Sequence, residues 1–414
     1  MRTPKLLRAA ARLLVLALLA IPLATRTAAS QERLVGAWTA STGVVYENWS
    51  FPDAIATSTA SGNAVMLGGS SMLTLPVAVV APLSSDWTLD VYTAYVRGEV
   101  RLAAPNAAGR SSYSLAGATD TKVRLVGQLM GDELLLTIGA TIPTGATHLD
   151  AANLDALGVL SSPALRFRSP VLGAGAGATL GLVWSREVGG WGTAVGGSYE
   201  KRGSYAPAEA LQAGAPAIDL SPGNAVHFSL AAERVLGAVR HMASVTADLY
   251  QSGELRDQAG VIPTTTVGLG PTVTGTYQLD ATLGSFEAAT FGVVRHRTAY
   301  KVAGVLVDGS ARTELDGGLQ GSRALSSTAA LRLGLEGRYH TAGAALAGSS
   351  SASSTFSTAG VAAAGLTAGV RFGGARSGLA FEPFAAAHVG RMDFRTTTAK
   401  MTGLSAGATV TARF

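Results

Sequence analysis

The sequence predicts an all-β fold, a transmembrane antiparallel up-and-down β-barrel of 14 to 16 strands with 12 as the lower limit. Three observations predict it: strand-period alternation, a regular asymmetry between short turns and long connections, and a composition too apolar for a soluble chain that nevertheless lacks a spanning helix. Of 414 residues, 47% are hydrophobic, only 14% are charged and 51 are glycine. No stretch beyond the N-terminal segment reaches the 18 or so apolar residues that a spanning helix needs. Lipid tolerates no open sheet edge, so a closed barrel is the remaining way for such a chain to cross a bilayer.

Alternation is clearest at the C-terminus. Leu404, Ala406, Ala408, Val410, Ala412 and Phe414 alternate with Ser405, Gly407, Thr409, Thr411 and Arg413. Successive strand side chains point to opposite faces, so this segment has one apolar and one polar side. The same reading fits Ala329, Leu331, Leu333, Leu335 and Tyr339 against Arg332, Glu336, Arg338 and His340. It also fits Val226, Phe228 and Leu230 against His227, Ser229 and Glu233, and Val239 to Leu249 against Arg240, Ser244, Thr246 and Asp248.

Connections separate a membrane barrel from a soluble sandwich. Short turns are expected at 83–86, 131–132, 187–190, 236–237, 284–285, 324–327 and 373–378, with long Gly/Ser/Thr/Pro-rich stretches near 50–71, 143–177, 202–223, 251–274, 301–312 and 341–359. Short inner turns alternating with longer outer loops are the habit of outer-membrane barrels. Sixteen candidate spans result, the one at 312–323 being weakly apolar. Trp38, Trp49, Trp87, Trp184 and Trp191 fall near predicted strand ends, where an amphipathic ring suits the headgroup region. One helix is expected, from Thr147 through Leu149, Leu154 and Leu157 to Gly158, with Asp150 and Asp155 on a polar side; it is read as a surface helix of the longest loop, the alternative being a helix folded into the mouth as a constriction.

At the N-terminus, Arg2, Lys5, Arg8 and Arg12 precede an apolar run at 13–23 and then Ala28, Ala29 and Ser30. That pattern predicts a signal peptide over 1–30, cleaved near Ala29 or Ser30, and a barrel over 31–414. The signal holds five basic residues, Arg26 included, and no acidic one, so removing five from 32 leaves 27 basic against 27 acidic. The formal charge of +5 therefore gives no reason to expect nucleic acid as a partner. With no cysteine, neither a disulfide framework nor a lipid-modified cysteine is available.

Chemistry-bearing patterns are sparse. The six histidines, His148, His227, His241, His296, His340 and His388, form no metal-ligand spacing, and neither cofactor nor metal is expected. His227 and Ser229 share a strand face, as in a His-x-Ser arrangement for lipid hydrolysis, but Leu230 and Ala231 follow where Asn-Gly should. An enzyme is not expected. The predicted lumen face carries Lys122, Arg124, Glu200, Glu233, Arg240, Asp248, Arg332, Glu336, Arg338, Arg371, Glu382 and His388. Neither sign dominates, so these charges read first as cross-strand pairs. Arg332, Glu336 and Arg338, on one face of one strand, are the candidate polar cluster at a constriction.

Phe414, Ala412, Val410 and Ala408 place the chain in resemblance to bacterial outer-membrane β-barrels, which end in an alternating strand closed by Phe. The resemblance implies outer-membrane lipid around the barrel and the barrel-insertion machinery as a partner reading Val410, Ala412 and Phe414. The segment 133–142 leading into Pro143-Thr144-Gly145 resembles the long-chain fatty-acid and aromatic-hydrocarbon transporters and the barrels accompanying phenol degradation. Those transporters carry an N-terminal plug, whereas only 31–34 precede the first strand here, so no such plug is expected. The expected function is an outer-membrane channel or passive transporter for small solutes, hydrophobic ones included; the alternative is a structural or surface-interaction barrel with a closed lumen.

Overall fold

In the computed structural model, the described residues are 38–58, 64–106, 109–131, 133–147, 149–168, 172–208, 218–257, 263–307, 309–341, 359–373, 378–394 and 398–414. The predicted signal segment, His148 and the Gly/Ser run of 348–354 lie outside them.

The chain begins with β1 (Thr39–Ser58), β2 (Ala64–Pro82) and β3 (Trp87–Leu102). Next come β4 (Ser112–Ala118), β5 (Thr121–Leu129), β6 (Leu134–Ile142), the helix α1 (Ala151–Leu160), β7 (Gly177–Val188) and β8 (Trp191–Arg202). The middle holds β9 (Tyr205–Ala208), β10 (Ile218–Ser221), β11 (Ala225–Leu236), β12 (Val239–Tyr250), β13 (Ser252–Asp257), β14 (Thr265–Gly268), β15 (Thr272–Leu283) and β16 (Phe286–Arg297). The last third holds β17 (Lys301–Val302), β18 (Val305–Leu306), β19 (Arg312–Ala324), β20 (Ala329–His340), β21 (Gly360–Phe372), β22 (Leu379–Asp393) and β23 (Thr398–Arg413).

Seventeen of these strands form one sheet. Because β4 and β5 both lie against β3, at Tyr95–Arg101 and Trp87–Tyr92 respectively, they are two halves of one interrupted stave. The wall therefore has sixteen staves, and it closes where β1 pairs antiparallel with β23 from Thr39↔Arg413 to Ser50↔Thr402. Pairing otherwise follows chain order, and the weakly apolar span at 312–323 is a full stave, paired on both sides with β16 and β20. Closure gives each stave a ladder partner on both sides, as a bilayer demands, except along β4, which pairs with β3 alone.

The alternation sorts the side chains as a membrane wall requires. Leu230 is 57% exposed, Leu333 54%, Leu366 65%, Val389 64% and Leu404 55%. All lie on the outer surface, an apolar belt that only lipid would cover. Seven short connections gather at one rim and longer ones at the other, with the chain entering β1 and leaving β23 at the short-turn rim.

Three long connections are not irregular, as their composition had suggested. Strands β9, β10, β13, β14, β17 and β18 form a second, six-stranded sheet beyond the long-loop rim. Most of 50–71, expected as a loop, is strand too, since β1 and β2 pair out to Ser58↔Ala64 across an irregularity between Ser50 and Ile55.

Candidate functional site: the lumen and its inward loop

The site begins at the interrupted stave. Between β4 and β5 the chain breaks at Thr119 and Asp120, and there the connection 143–176 turns into the barrel. Asp120 is 7% exposed. Its Oδ1 accepts from the Gly145 N–H at 3.0 Å and its Oδ2 from the Ala174 N–H at 2.6 Å, while its own N–H donates to the Leu172 carbonyl at 2.9 Å. One carboxylate thus fastens both ends of the loop. Thr144 adds to the base, its hydroxyl accepting from the Thr121 N–H at 2.9 Å and reaching the Thr119 carbonyl at 3.0 Å.

Beyond the staple the chain forms α1, capped by Asp150, whose side chain accepts from the Asn153 N–H at 2.7 Å. The surface position expected for this helix is not what the structure shows. Ala156, Val159 and Leu160 are buried, and Asp155 with them. They pack against inward side chains of β1 to β4, among them Trp49, Met72, Val96, Val100 and Leu115. At Gly98 of β3 the approach is so close that an added Cβ would overlap Leu160. The sequence of α1, AANLDALGVL, is apolar around most of its circumference, which is the mark of a buried helix rather than a half-solvated one.

The loop then crosses the lumen. Leu165 and Phe167 are buried in the same cluster, while the alternate residues Arg166 and Arg168 reach different staves of the wall. Arg166 pairs with Asp316 of β19 at 2.5 Å, and the Arg168 N–H donates to Glu47 Oε2 of β1 at 3.1 Å. Arg166 has φ +56°, a left-handed conformation that costs a non-glycine residue roughly 1–2 kcal/mol. Such strain persists only where the surroundings over-determine it, and here the buried neighbours and the two wall contacts do so. Behind Asp316 lies a buried relay: Arg312 Nη2 donates to His340 Nδ1 at 2.9 Å, which leaves the ring proton on Nε2, 3.8 Å from Asp316 Oδ1.

Beneath the loop remains a cavity of about 870 Å³, lined by residues of β1, β15, β16 and β19 to β23 and by the loop tip. Arg332, Glu336 and Arg338 all face it, each with a different neighbour. Arg332 reaches over β21 to Glu382 at 2.6 Å. Glu336 meets His388 Nδ1 at 3.5 Å, also across β21, where only a glycine, Gly365, leaves room: a Cβ there would strike both side chains. Arg338 lies 5.0 Å over the ring of Trp49 and, among the described residues, has no carboxylate within ion-pair distance. Trp49 is therefore not at a headgroup-level strand end, as expected, but in the lumen at 6% exposure. It shares the inward parity of Val45 and Glu47 in a strand that runs on to Ser58, so its position is interior to the stave.

Elsewhere the inner face carries the cross-strand pairs that mixed charge suggested. Arg124 pairs with Asp90 at 2.5 Å and Arg240 with Glu233 at 2.7 Å. His227 stands between Asp248 at 2.8 Å and Glu200 at 3.3 Å, and Arg202 joins Glu200 at 3.0 Å. The ring nitrogens of His227 thus engage carboxylates of the neighbouring strands. At the closing seam Val410 and Ala412 pair with Thr42 and Ala40, and the Phe414 N–H donates to the Trp38 carbonyl at 2.9 Å, its side chain 79% exposed.

Four residues central to this site, Asp120, Trp49, Arg166 and Asp316, are not among the sequence candidates. Asp120 had a faint signal, an acid interrupting an otherwise alternating segment; the loop arginines had none.

No protein-family profile matches the chain, and no curated protein matches it. Solved structures similar in fold include a Pseudomonas aeruginosa FadL homologue, with a TM-score of 0.43 at 10% identity over 91% of this chain and 90% of that one. Another is Pseudomonas aeruginosa OccK1 (OpdK), with a TM-score of 0.39 at 11% identity over 91% and 99%. A third is the COG4313 outer membrane channel from Pseudomonas putida F1, with a TM-score of 0.34 at 12% identity over 91% and 95%. The likeness is one of outer-membrane barrel fold.

Proposed function

We propose that the protein is an outer-membrane channel or passive transporter for small solutes, hydrophobic ones included. The observation that supports this reading is the inward loop: it narrows the lumen from one side without filling it, and leaves a cavity walled by fixed polar and aromatic side chains. Fixed polar groups set beside aromatic surface are what a passage uses to orient the small solutes it admits. The signal peptide over 1–30 and the terminal strand with Val410, Ala412 and Phe414 fit delivery to an outer membrane by its insertion machinery. The charges of the inner wall are balanced largely by one another, which suits a passage that neither repels nor traps one sign strongly. Arg332, Glu336 and Arg338 then serve as part of its constricted stretch.

A closed structural barrel is the second reading, favoured by the apolar packing of α1 against β1 to β4. Single-channel conductance of the refolded mature protein in a planar bilayer decides between them. Steady ohmic current from a folded, heat-modifiable barrel supports the channel; a folded barrel that passes no current under any applied voltage refutes it and leaves the structural reading.

A further inference from the structure

The outer wall is not chemically uniform around the barrel. Gly98 of β3 faces α1 in the lumen, so Arg97, Glu99 and Arg101 on the alternate positions face outward, and all three are exposed. By the same parity Asn48 of β1, Lys400 of β23 and Arg391 of β22 are outward, beside the lumen-facing Trp49, Met401 and Met392. Arg97 stands ten residues along β3 from Trp87 at the short-turn rim. At about 3.3 Å per residue and a tilt of about 40°, that is about 25 Å of height, the thickness of the apolar band. Equally far along their own staves, β12 and β15 still present Leu249 and Val273 to the outside. Arg101 and Lys400 are fourteen and thirteen residues from their rim ends, Trp87 and Arg413. They therefore stand about 10 Å above the band, beyond the roughly 5–7 Å of an ordinary headgroup layer.

The wall holds these two cations in place and leaves them without a counter-charge. The Arg101 side chain crosses the outer face of β2 where Gly69 leaves room for it, and its Nη2 donates to Asn48 Oδ1 on β1 at 2.5 Å. Lys400 is directly paired with Arg391, and like charges so placed repel. Three carboxylates are near. Asp393 takes Arg391 at 3.6 Å, Asp53 accepts the main-chain N–H of Lys400 at 3.3 Å, and Glu99 stands between the two arginines of β3. Neither Arg101 nor Lys400 has an ion-pair partner among the described residues. Gly69, Ser50 and Thr402 are paired in one row across β2, β1 and β23. The Arg101 guanidinium over Gly69 and the Lys400 backbone are thus two strand spacings and one pleat apart, about 12 Å, with the Ser50 and Thr402 hydroxyls between them.

We propose that this outward face of β23, β1 and β2 binds a phosphorylated glycolipid of the outer leaflet, Arg101 receiving one phosphate and Lys400 a second, with Ser50 and Thr402 meeting the sugar between them. The spacing is about that of the two ends of a disaccharide, and the height suits a sugar head rather than a small phosphodiester lying at the edge of the apolar band. Guanidinium–phosphate bonds are charge-assisted and bidentate, and basic side chains at headgroup height attract lipid phosphates. Glu99 is the repulsive element: it disfavours a head whose anionic groups crowd around Arg101, and so favours one that sets them apart. The site does not depend on what passes through the lumen.

The test uses the refolded full barrel in detergent, verified by heat-modifiable migration, and follows bound lipid by native mass spectrometry. The probes are a disaccharide lipid phosphorylated at both ends, the same lipid stripped of phosphate, phosphatidylglycerol, and inorganic phosphate as a competitor. The bisphosphorylated glycolipid is expected to bind at least about ten-fold more tightly than either other lipid. Arg101→Gln and Lys400→Gln should each cut that preference, and the double variant should abolish it, while Lys201→Gln, at an exposed cation of β8, leaves it unchanged. Equal binding of the phosphorylated and stripped lipids by the unaltered protein overturns the proposal. So does phosphatidylglycerol binding as tightly as the glycolipid, displacement by inorganic phosphate at the lipid's own concentration, or a preference untouched in the double variant. The first three results are read on the unaltered protein, so misfolding of a variant cannot shield the idea. Bilayer current bears on the channel reading alone, and the two stand or fall separately.

Discussion

Asp120 offers a sharp perturbation because one side chain fastens two distant points of the loop. In Asp120→Ala the N–H groups of Gly145 and Ala174 lose their acceptors, bonds of 3.0 and 2.6 Å to a carboxylate only 7% exposed. Hydrogen bonds to a charged group contribute about 1.5–3 kcal/mol each, so the pair supplies about 3–6 kcal/mol before water replaces it. The lumen admits water, and the lower bound of about 3 kcal/mol is the appropriate estimate for opening the loop base. Since 1.4 kcal/mol is ten-fold, the opened population should rise on the order of a hundred-fold. Trypsin reads this directly, because Arg166 and Arg168 lie at the loop tip and cleavage follows the opened fraction while closing outpaces cutting. The barrel itself should keep its heat-modifiable migration, since its strand pairing does not depend on Asp120. Asp120→Asn retains one acceptor and should fall between, at about ten-fold. Trypsin cleavage of Asp120→Ala at the rate of the unaltered protein, with the barrel folded, would refute the staple.

Three further outcomes follow from the same geometry. Leu160→Ala, at a side chain fully buried against β3, should weaken docking of α1 by about 2–5 kcal/mol and raise single-channel conductance; unchanged conductance would mean that α1 does not limit the passage. Leu333→Arg on the outer wall should destabilise the inserted barrel by about 2–4 kcal/mol in urea unfolding from vesicles, whereas the inward neighbour Arg332→Leu should not carry that penalty. Tyr205, in the sheet beyond the rim, has its phenol pushed above the usual tyrosine value of 10.0, first by burial and then by the charge of Asp120. Its contribution to stability is therefore complete below about pH 10 and is lost as pH rises through the folded value, and ultraviolet titration should show that value falling in Asp120→Asn.

Much of the wall is legible in the sequence, and for a physical reason. A residue facing lipid and its neighbour facing water must differ in chemistry, so Leu331, Leu333 and Leu335 against Arg332 and Glu336 announce a stave and its register. The turns at 83–86, 187–190 and 284–285 were legible because hairpins of fixed direction need few residues, although β7 runs on to Val188. What lies inside the wall was not. A helix folded into the lumen is read by the same apolar residues as one resting on a surface, and only the all-round character of α1 hinted otherwise. Trp49 was misplaced because β1 overshoots the wall, so that a position near the expected strand end is in fact interior. The loop arginines obey no period, and their partners Glu47 and Asp316 are over a hundred residues away in sequence. The rim strands β9, β10, β13, β14, β17 and β18 hide in turn-rich composition because they are only two to six residues long.

That second sheet ties three successive surface connections into one fabric. Order within it runs β9, β10, β13, β14, β17, β18, and each link between connections is main-chain: β10 with β13 from Ile218↔Asp257 to Ser221↔Glu254, and β14 with β17 at Val267↔Val302 and Gly268↔Lys301. Main-chain pairing ignores side-chain identity, so the exposed residues here can be exchanged more readily than lengths can. The part of the protein that meets the outside world is thus free to change its chemical face, and a binder raised against it would see residues from three hairpins at once. Excising the middle connection would unravel both neighbours, making that exterior tolerant of substitution and intolerant of deletion.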